Sequence, residues 1–90
     1  MIYRRREGST INTQELVAVR IRQLCELHKL TPNRLATLSA VPQSTVKSIL
    51  HGESKNPGII TIKKLCDGLE IGLPEFFDTP EFWALEQEIY

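Results

Sequence analysis

The side chains best suited to chemistry in this sequence lie within residues 42–52, and their chemistry is hydrogen bonding rather than catalysis. The apolar members of this stretch, Val46, Ile49 and Leu50, follow the i, i+3, i+4 spacing of one helix face. The opposite face carries only neutral or basic hydrogen-bonding groups: Gln43, Ser44, Lys47, Ser48 and His51. The floor of a DNA major groove offers mixed donors and acceptors between phosphate walls. A short helix with one apolar face and one face of hydrogen-bonding groups therefore suits a DNA major groove.

Another short helix is predicted immediately before this one. Thr31-Pro32 indicates its start, because a threonine hydroxyl caps free backbone N–H groups and proline is favoured in a first turn. Its apolar face is formed by Leu35, Ala36 and Leu38. The helix that follows begins at about Pro42 and ends near Leu50, and Gly52 then supplies a residue that can adopt positive φ. Almost no connection remains between the two helices.

A longer pattern surrounds these helices and runs through residues 19–77 without gaps. It has the form R-I-R-x-L-R, L-T-Q-x-x-L-A-x-x-x-G-V-S-Q-S-T-I-S-x-I-E-x-G and a later P-x-x-x-x-L-x-x-L-A-x-x-L. The matching residues are Arg20-Ile21-Arg22, Leu24, Leu30-Thr31, Leu35-Ala36, Val41, Gln43-Ser44-Thr45-Val46, Ile49, Gly52, Pro57, Leu65 and Leu69. On these residues the chain resembles the helix-turn-helix domain of phage repressors and Cro proteins, the XRE family. The resemblance implies an all-α, compact five-helix lambda-repressor-like domain with a helix-turn-helix, here followed by an extra C-terminal helix.

Departures from the family pattern carry expectations of their own. Ala40 stands where the family has its turn glycine, so the backbone there either avoids positive φ or tolerates some strain. Pro42 replaces a capping serine, and Pro32 replaces a glutamine that often touches phosphate. Cys25 and Leu50 together replace an arginine and a glutamate that typically pair. Because a buried ion pair can be exchanged for apolar packing, we expect Cys25 and Leu50 to be buried against each other, or nearly so.

Charge is distributed unevenly along the chain, although the formal net charge is zero. Residues 1–64 hold all 11 lysines and arginines and only four acids, which leaves +7, whereas residues 65–90 hold seven acids and no base. This asymmetry favours a polyanion as the partner of the basic part. By itself it fits a merely solvated surface equally well, and the predicted helix-turn-helix in the basic part favours nucleic acid.

The remaining helices follow from caps and apolar periods, and they divide the chain into three parts. Residues 1–12 form a basic flexible arm, which is either a disordered start or a segment that lies on DNA. Residues 13–78 form the DNA-binding domain. Its first helix is capped by Thr13 and has Val17, Ile21 and Leu24 on its inner face. A fourth helix follows Asn56-Pro57-Gly58 and carries Ile59, Ile62, Leu65, Cys66 and Leu69, and a short fifth covers Pro74 to Phe77.

Residues 79–90 predict a last helix, which begins with Thr79-Pro80 and reaches Tyr90. Phe82, Leu85 and Ile89 follow the core period, whereas Trp83 and Tyr90 lie about 100° around the helix from Phe82. These two aromatic residues either pack back on the domain or form a dimer interface, and aromatic enrichment in interface cores favours the dimer.

Enzyme chemistry and metal binding find little support in the sequence. His28 and His51 have no nucleophile or carboxylate partner at a motif spacing, and there is no glycine-rich phosphate loop. Cys25 and Cys66 lack a CxxC partner, so we expect buried apolar thiols in a reducing cytosol rather than zinc. No apolar run approaches the length of a membrane span, and no signal peptide is evident. We expect no cofactor.

Two functions fit these observations. The first is a sequence-specific DNA-binding regulator, most simply a repressor, that binds double-stranded DNA in the major groove as a homodimer and answers to concentration or a regulatory protein partner. The second is a protein-interaction module of the same fold, such as an antagonist or antitoxin-like subunit. Such a module would carry acids or large apolar groups on the front of the helix of residues 42–50, and their absence there favours DNA. The resemblance implies a cytoplasmic protein of bacterial or phage origin. For DNA, the predicted base-reading residues are Gln43, Ser44, Lys47 and Ser48, and the predicted backbone contacts are Thr31, Thr45, Arg22, Lys55, Arg4, Arg5 and Arg6.

Overall fold

Residues 11–89, the part of the chain that the computed structural model describes, contain six helices and no strand. They are α1 (Thr13–His28), α2 (Pro32–Ser39), α3 (Gln43–Leu50), α4 (Ile59–Leu69), α5 (Leu73–Phe77) and α6 (Pro80–Trp83). The expected all-α fold of five helices with a sixth at the C-terminal end is confirmed. The arm residues Arg4, Arg5 and Arg6 and the aromatic residue Tyr90 lie outside the described residues.

The helix starts show which cap predictions hold. Asn12, not Thr13, caps α1: its side chain accepts a hydrogen bond from the Glu15 backbone N–H, and the Glu15 carboxylate accepts one from the Asn12 N–H. The prediction for Thr13 is wrong because this reciprocal pair begins the helix one residue earlier, at an extended Asn12. The prediction for Thr31 is confirmed, since its Oγ1 accepts from the Arg34 N–H at 3.1 Å.

The helix ends use left-handed backbone where the chain has no glycine. Lys29, Ala40 and Glu70 have φ values of 56°, 54° and 59° and end α1, α2 and α4. Ala40 therefore tolerates positive φ, which is the second of the two alternatives for the glycine-to-alanine departure. Gly52, one residue past the cap of α3, has φ 76°, as its position after the helix predicts.

One core takes its buried residues from α1 to α5, and Phe82 of α6 packs against it. The buried residues of α1 and α4 include the predicted sets Val17, Ile21, Leu24 and Ile62, Leu65, Cys66, Leu69. Cys25 and Leu50 are both buried in this core, and their direct contact stays a prediction. Burial raises the pKa of the Cys25 thiol, although the charge of Arg22 opposes the shift. Burial also raises the pKa of the Cys66 thiol, so both cysteines behave as small apolar groups at neutral pH.

The contact between α2 and α4 depends on a glycine. A Cβ atom on Gly68 would lie 2.1 Å from Ser39 Oγ and 3.2 Å from Ser39 Cα, so only glycine fits this close approach. Ser39 is itself buried, and its Oγ finds no hydrogen-bond partner within residues 11–89. This close approach lets α4 support α2 directly from behind, and α2 in turn supports α3.

Several predicted core positions are exposed instead. Leu38 and Ile59 are about half exposed, at 46% and 55%, and Ile89 is 82% exposed. The predicted last helix is also wrong in length, because α6 ends at Trp83 rather than Tyr90. The helix packs through Phe82, whose ring lies 5.0 Å from that of Phe77. Ile89, at the far end of the predicted helix, is exposed, so a longer helix would gain little from burial, and short helices without such packing are marginal in water.

Candidate nucleic-acid interface

The outer face of α3 presents three of the four predicted base-reading residues to solvent. Gln43, Ser44 and Lys47 are exposed, while the reverse of the helix buries Val46 and Ile49. Gln43 and Lys47 are four residues apart and therefore neighbours on the helix surface. The structure brings an amide, a hydroxyl and an ammonium group together on the front of one short helix. These groups supply both donors and acceptors to an approaching surface.

Ser48, the fourth predicted residue, sits in a more enclosed place. It is half-buried, and its Oγ lies 3.4 Å from the Glu53 carboxylate. The loop folds back to produce this arrangement, because the backbone N–H groups of Glu53 and Ser54 both donate to the Ser48 carbonyl, at 2.9 and 3.1 Å. Sequence reasoning missed Glu53, which lies beyond the helix. The available signal was Gly52, whose positive φ turns the chain back.

A shallow groove runs along this end of α3 and is lined by Ser44, Thr45, Ser48, Glu53 and Ser54. Four of the five residues carry hydroxyl groups, which both donate and accept hydrogen bonds. Glu53 provides the one carboxylate of the lining. The groove adjoins the exposed face of α3. The predicted backbone contact Thr45 is half-buried here, at the side of that face.

The other residues that are predicted to contact the DNA backbone lie around α3, on different elements. Thr31 is exposed at the start of α2, although its hydroxyl already caps that helix. Lys55 is exposed in the loop between α3 and α4. Arg22 is exposed on α1 and donates from Nη2 to the Leu50 carbonyl at 2.9 Å. Arg4, Arg5 and Arg6 fall among the residues that are not described.

A cleft of about 550 Å³ opens beside Lys55, between the start of α1, the loop after α3 and the C-terminal segment. Its lining is mixed, with Asn56 and Lys55 on the loop and Phe77 among the apolar residues. Glu88 also lines the cleft and accepts a 2.7 Å hydrogen bond from the Thr13 hydroxyl. This bond ties the C-terminal segment to the first turn of α1.

The C-terminal side of the molecule is held to α1 through a second contact. The Arg20 guanidinium donates to the Phe76 carbonyl from Nε at 2.7 Å and to the Glu75 carbonyl from Nη2 at 2.9 Å. Trp83, a predicted dimer contact, is 75% exposed on this side, whereas its proposed companion Tyr90 lies outside the described residues. Trp83 therefore leaves most of its apolar surface available to a partner.

The described part of the chain also bears on metal binding and membranes. Within residues 11–89 no group of three His, Cys, Asp or Glu side chains is placed to hold a metal ion. His28 and His51 are both exposed, at the ends of α1 and α3. No helix of these residues has the length and apolar character to cross a membrane.

Comparison with known proteins gives two matches to this fold and sequence. Residues 20–81 match the family model of the Cro/C1-type helix-turn-helix DNA-binding domain. Among solved structures, the crystal structure of the prophage Lp1 protein 11 is similar, with a TM-score of 0.72 and 41% sequence identity. That match covers 80% of this chain and 96% of the prophage protein's chain. A comparison with curated proteins finds no match.

Proposed function

The chain belongs to the Cro/C1-type helix-turn-helix family of DNA-binding domains, and we propose that it is a sequence-specific transcriptional repressor of a two-fold symmetric operator. Its domain supports binding of double-stranded DNA, and the repressor role and the symmetry of the site are the proposal. Such a regulator acts in the cytoplasm, where bacterial and phage DNA lies. No cofactor enters the proposal, since hydrogen bonds and charge suffice for DNA recognition.

The observation that carries the proposal is the exposed face of α3. Gln43, near the start of the helix, offers an amide that can bond both N6 and N7 of an adenine. One turn further on, Lys47 is exposed and can reach O6 and N7 of a guanine. Ser44 and Ser48 share the remaining positions of this face. Residues of these types, presented on a helix whose back is buried, match the base edges of a major groove.

The residues that we assign to the DNA backbone surround the exposed face of α3. We assign Thr31 and Thr45 to the phosphates that flank the groove. Lys55 supplies a positive charge from the loop before α4. Arg22 retains further N–H donors besides the one bonded to the Leu50 carbonyl, because a guanidinium has five. The arm residues Arg4, Arg5 and Arg6 add charge if the arm lies on DNA.

The proposal includes a homodimer joined through the acidic C-terminal part, with Trp83 and Tyr90 as anchors. One helix-turn-helix contacts only a few base pairs, and two-fold repetition is how such proteins lengthen the site that they recognise. Trp83 is exposed and lies on α6, away from the basic stretch. A protein partner that covers the same aromatic surface would regulate the repressor by competing with dimer formation.

The competing function is a protein-interaction module of the same fold. Exposed apolar side chains at the start of α4, Ile59 and Ile60, are the observation that favours it, since they are 55% and 67% exposed. The front of α3 argues against it, because Gln43, Ser44 and Lys47 provide neither acids nor large apolar groups. The two functions differ in whether the purified chain binds DNA by itself.

Selection of DNA from a random pool by the purified chain tests the proposal. We expect enrichment of one sequence with inverted half-sites whose centres lie about 10 base pairs, or one helical turn, apart. If a dimer neutralises about six phosphates, log K falls with log salt at a slope of about −5. No enrichment, together with a slope near zero, would contradict the proposal and favour the interaction module.

A further inference from the structure

Two side chains of α1 reach across the molecule to the end of α3. Arg22 donates from Nη2 to the Leu50 carbonyl at 2.9 Å, and Gln14 donates from Nε2 to the Gly52 carbonyl at 3.0 Å. Both bonds are partly buried. Gln14 and Arg22 are eight residues apart and therefore extend from the same side of α1. They bond to two carbonyls of the short segment of residues 50–52.

The end of α3 needs donors from outside. The last four carbonyls of a helix have no partner within the helix. Here the local chain satisfies three carbonyls, because backbone N–H groups of residues 51–54 donate to Lys47, Ser48 and Ile49. Arg22 and Gln14 provide donors for the carbonyls of Leu50 and Gly52, which come next. The positive guanidinium also suits the negative end of a helix dipole.

Among the described residues 11–89, no side chain makes a comparable attachment to the start of α3. Its N-cap is Pro42, which makes no side-chain hydrogen bond to the helix. The helix has only eight residues, and a helix this short depends on tertiary contacts. Burial of Val46 and Ile49 holds it against the core, but apolar packing alone is non-directional. The hydrogen bonds from α1 therefore supply the directional restraint on how α3 lies.

We infer that Gln14 and Arg22 form a clamp that sets the orientation of α3 for reading DNA. Both act as positioning residues through the Leu50 and Gly52 carbonyls, and they affect base recognition without touching a base. The inference rests on the proposed function, since it assigns the residues that hold the base-reading helix in place. It predicts that loss of the clamp reduces discrimination between sequences more than it reduces general attraction to DNA.

Gln14→Ala is the cleanest test, because it removes a clamp bond and changes no charge. Affinity for the selected operator and for a shuffled duplex of equal length is measured by fluorescence anisotropy. We expect operator affinity to fall about fivefold, as for the loss of one net hydrogen bond, with unchanged affinity for the shuffled duplex. Gln23→Ala is the matched control, since Gln23 is exposed on α1 and its side chain makes no hydrogen bond within residues 11–89. An equal loss on both duplexes would overturn the inference, because it would mark Gln14 as a DNA contact.

Hydrogen exchange of the free protein tests the clamp without DNA. In Gln14→Ala and Arg22→Ala we expect faster exchange at the amides of residues 49–53, with exchange in α4 unchanged. Unchanged exchange at residues 49–53 in both variants overturns the clamp, whatever the DNA result. If the variants show the exchange effect but the wild-type chain selects no DNA, the clamp stands and the proposed function is refuted, so the two failures are distinguishable.

A salt titration of Arg22→Ala separates clamping from phosphate contact. As a clamp residue, Arg22 affects operator binding more than binding to the shuffled duplex. If its only role is to bind one phosphate, the substitution weakens both duplexes equally and reduces the salt slope by about one. That equal loss would overturn the inference for Arg22.

Discussion

The helix-turn-helix, residues 31–52, and the C-terminal segment, residues 79–89, are built by opposite means. In the helix-turn-helix, Leu35, Ala36, Val46 and Ile49 are buried in the core. Thr31 caps the start of α2, and left-handed residues stand at the end of α2 (Ala40) and just after α3 (Gly52). In the C-terminal segment, a comparable apolar period yields a four-residue helix and leaves Trp83 and Ile89 mostly exposed. An apolar period in a short segment therefore forms a lasting helix where another element covers its apolar face.

The two regions also differ in charge, and this difference supports the division of roles. The helix-turn-helix lies in the basic part of the chain, and the exposed face of α3 holds Lys47 without an acid among residues 43–50. The C-terminal segment belongs to a stretch with seven acids and no base. An acidic region is repelled by DNA phosphates, so it is the part left to meet a protein.

The largest expected effect comes from placing a charge in the core behind the recognition helix. Cys25→Arg should lower the free energy of unfolding by about 3–5 kcal/mol, because it buries a guanidinium without a partner. Arg22, whose charge already acts on the Cys25 thiol, adds repulsion. Chemical denaturation followed by circular dichroism measures the change.

Addition of Leu50→Glu to that variant supplies the missing partner. Part of the lost stability should return, because Cys25 and Leu50 are buried in the same core. Strictly additive losses in the double variant would show that the two positions do not interact. The partial recovery would confirm that the apolar pair replaces an ion pair in the core of this region.

A smaller loss is expected at the contact that supports α2. Gly68→Ala should destabilise the domain by about 1–3 kcal/mol, since its Cβ would overlap Ser39. Thermal unfolding by calorimetry measures it. Gly58→Ala is the matched control, because nothing lies within 4 Å of a Cβ there. Equal effects of the two substitutions would contradict the steric explanation.

Sequence reasoning predicted the helix-turn-helix in detail, and the reason is local. Thr31, Pro32 and Gly52 act on the backbone within a few residues, so their consequences can be read without the rest of the fold. The extents of α1 and α6 show the limit. Asn12 overrides Thr13 as the cap because of its pairing with Glu15, and α6 ends at Trp83 although the chain beyond it still contacts α1 through the Glu88–Thr13 hydrogen bond.

The candidate interface also has features that the sequence predicts and features that it does not. The exposed residues of α3 follow from helical spacing and burial of Val46 and Ile49. The carboxylate of Glu53 and the bonds from Gln14 and Arg22 depend on distant parts of the chain meeting in three dimensions. Spacing in a single sequence carries no signal for those long-range contacts.

A gain in stability is expected at the turn between α2 and α3. Ala40 has φ 54°, a conformation that costs a non-glycine residue about 1–2 kcal/mol. Ala40→Gly should therefore raise the free energy of unfolding, by about 1 kcal/mol after the greater flexibility of glycine in the unfolded chain is counted. Urea titration measures the gain, and a loss of stability would show that alanine is unstrained at this turn.

The smallest effect on folding is expected in the C-terminal segment. Trp83→Ala should change the free energy of unfolding by less than about 0.5 kcal/mol, because the side chain is 75% exposed. Its effect should appear in assembly instead. In analytical ultracentrifugation at tens of micromolar we expect a wild-type dimer and a Trp83→Ala monomer. A wild-type chain that is a monomer both alone and on operator DNA would contradict the proposed dimer.

The most direct test of the account is the base preference of Gln43→Ala, measured across every single-base variant of the selected operator. The wild-type chain and Gln23→Ala serve as references, since Gln23 is an exposed glutamine outside α3. We predict that Gln43→Ala loses about 1–3 kcal/mol of binding free energy and its preference at one base pair of each half-site, with preferences elsewhere retained. A base-preference profile that matches both references within error would contradict the claim that the outer face of α3 reads DNA.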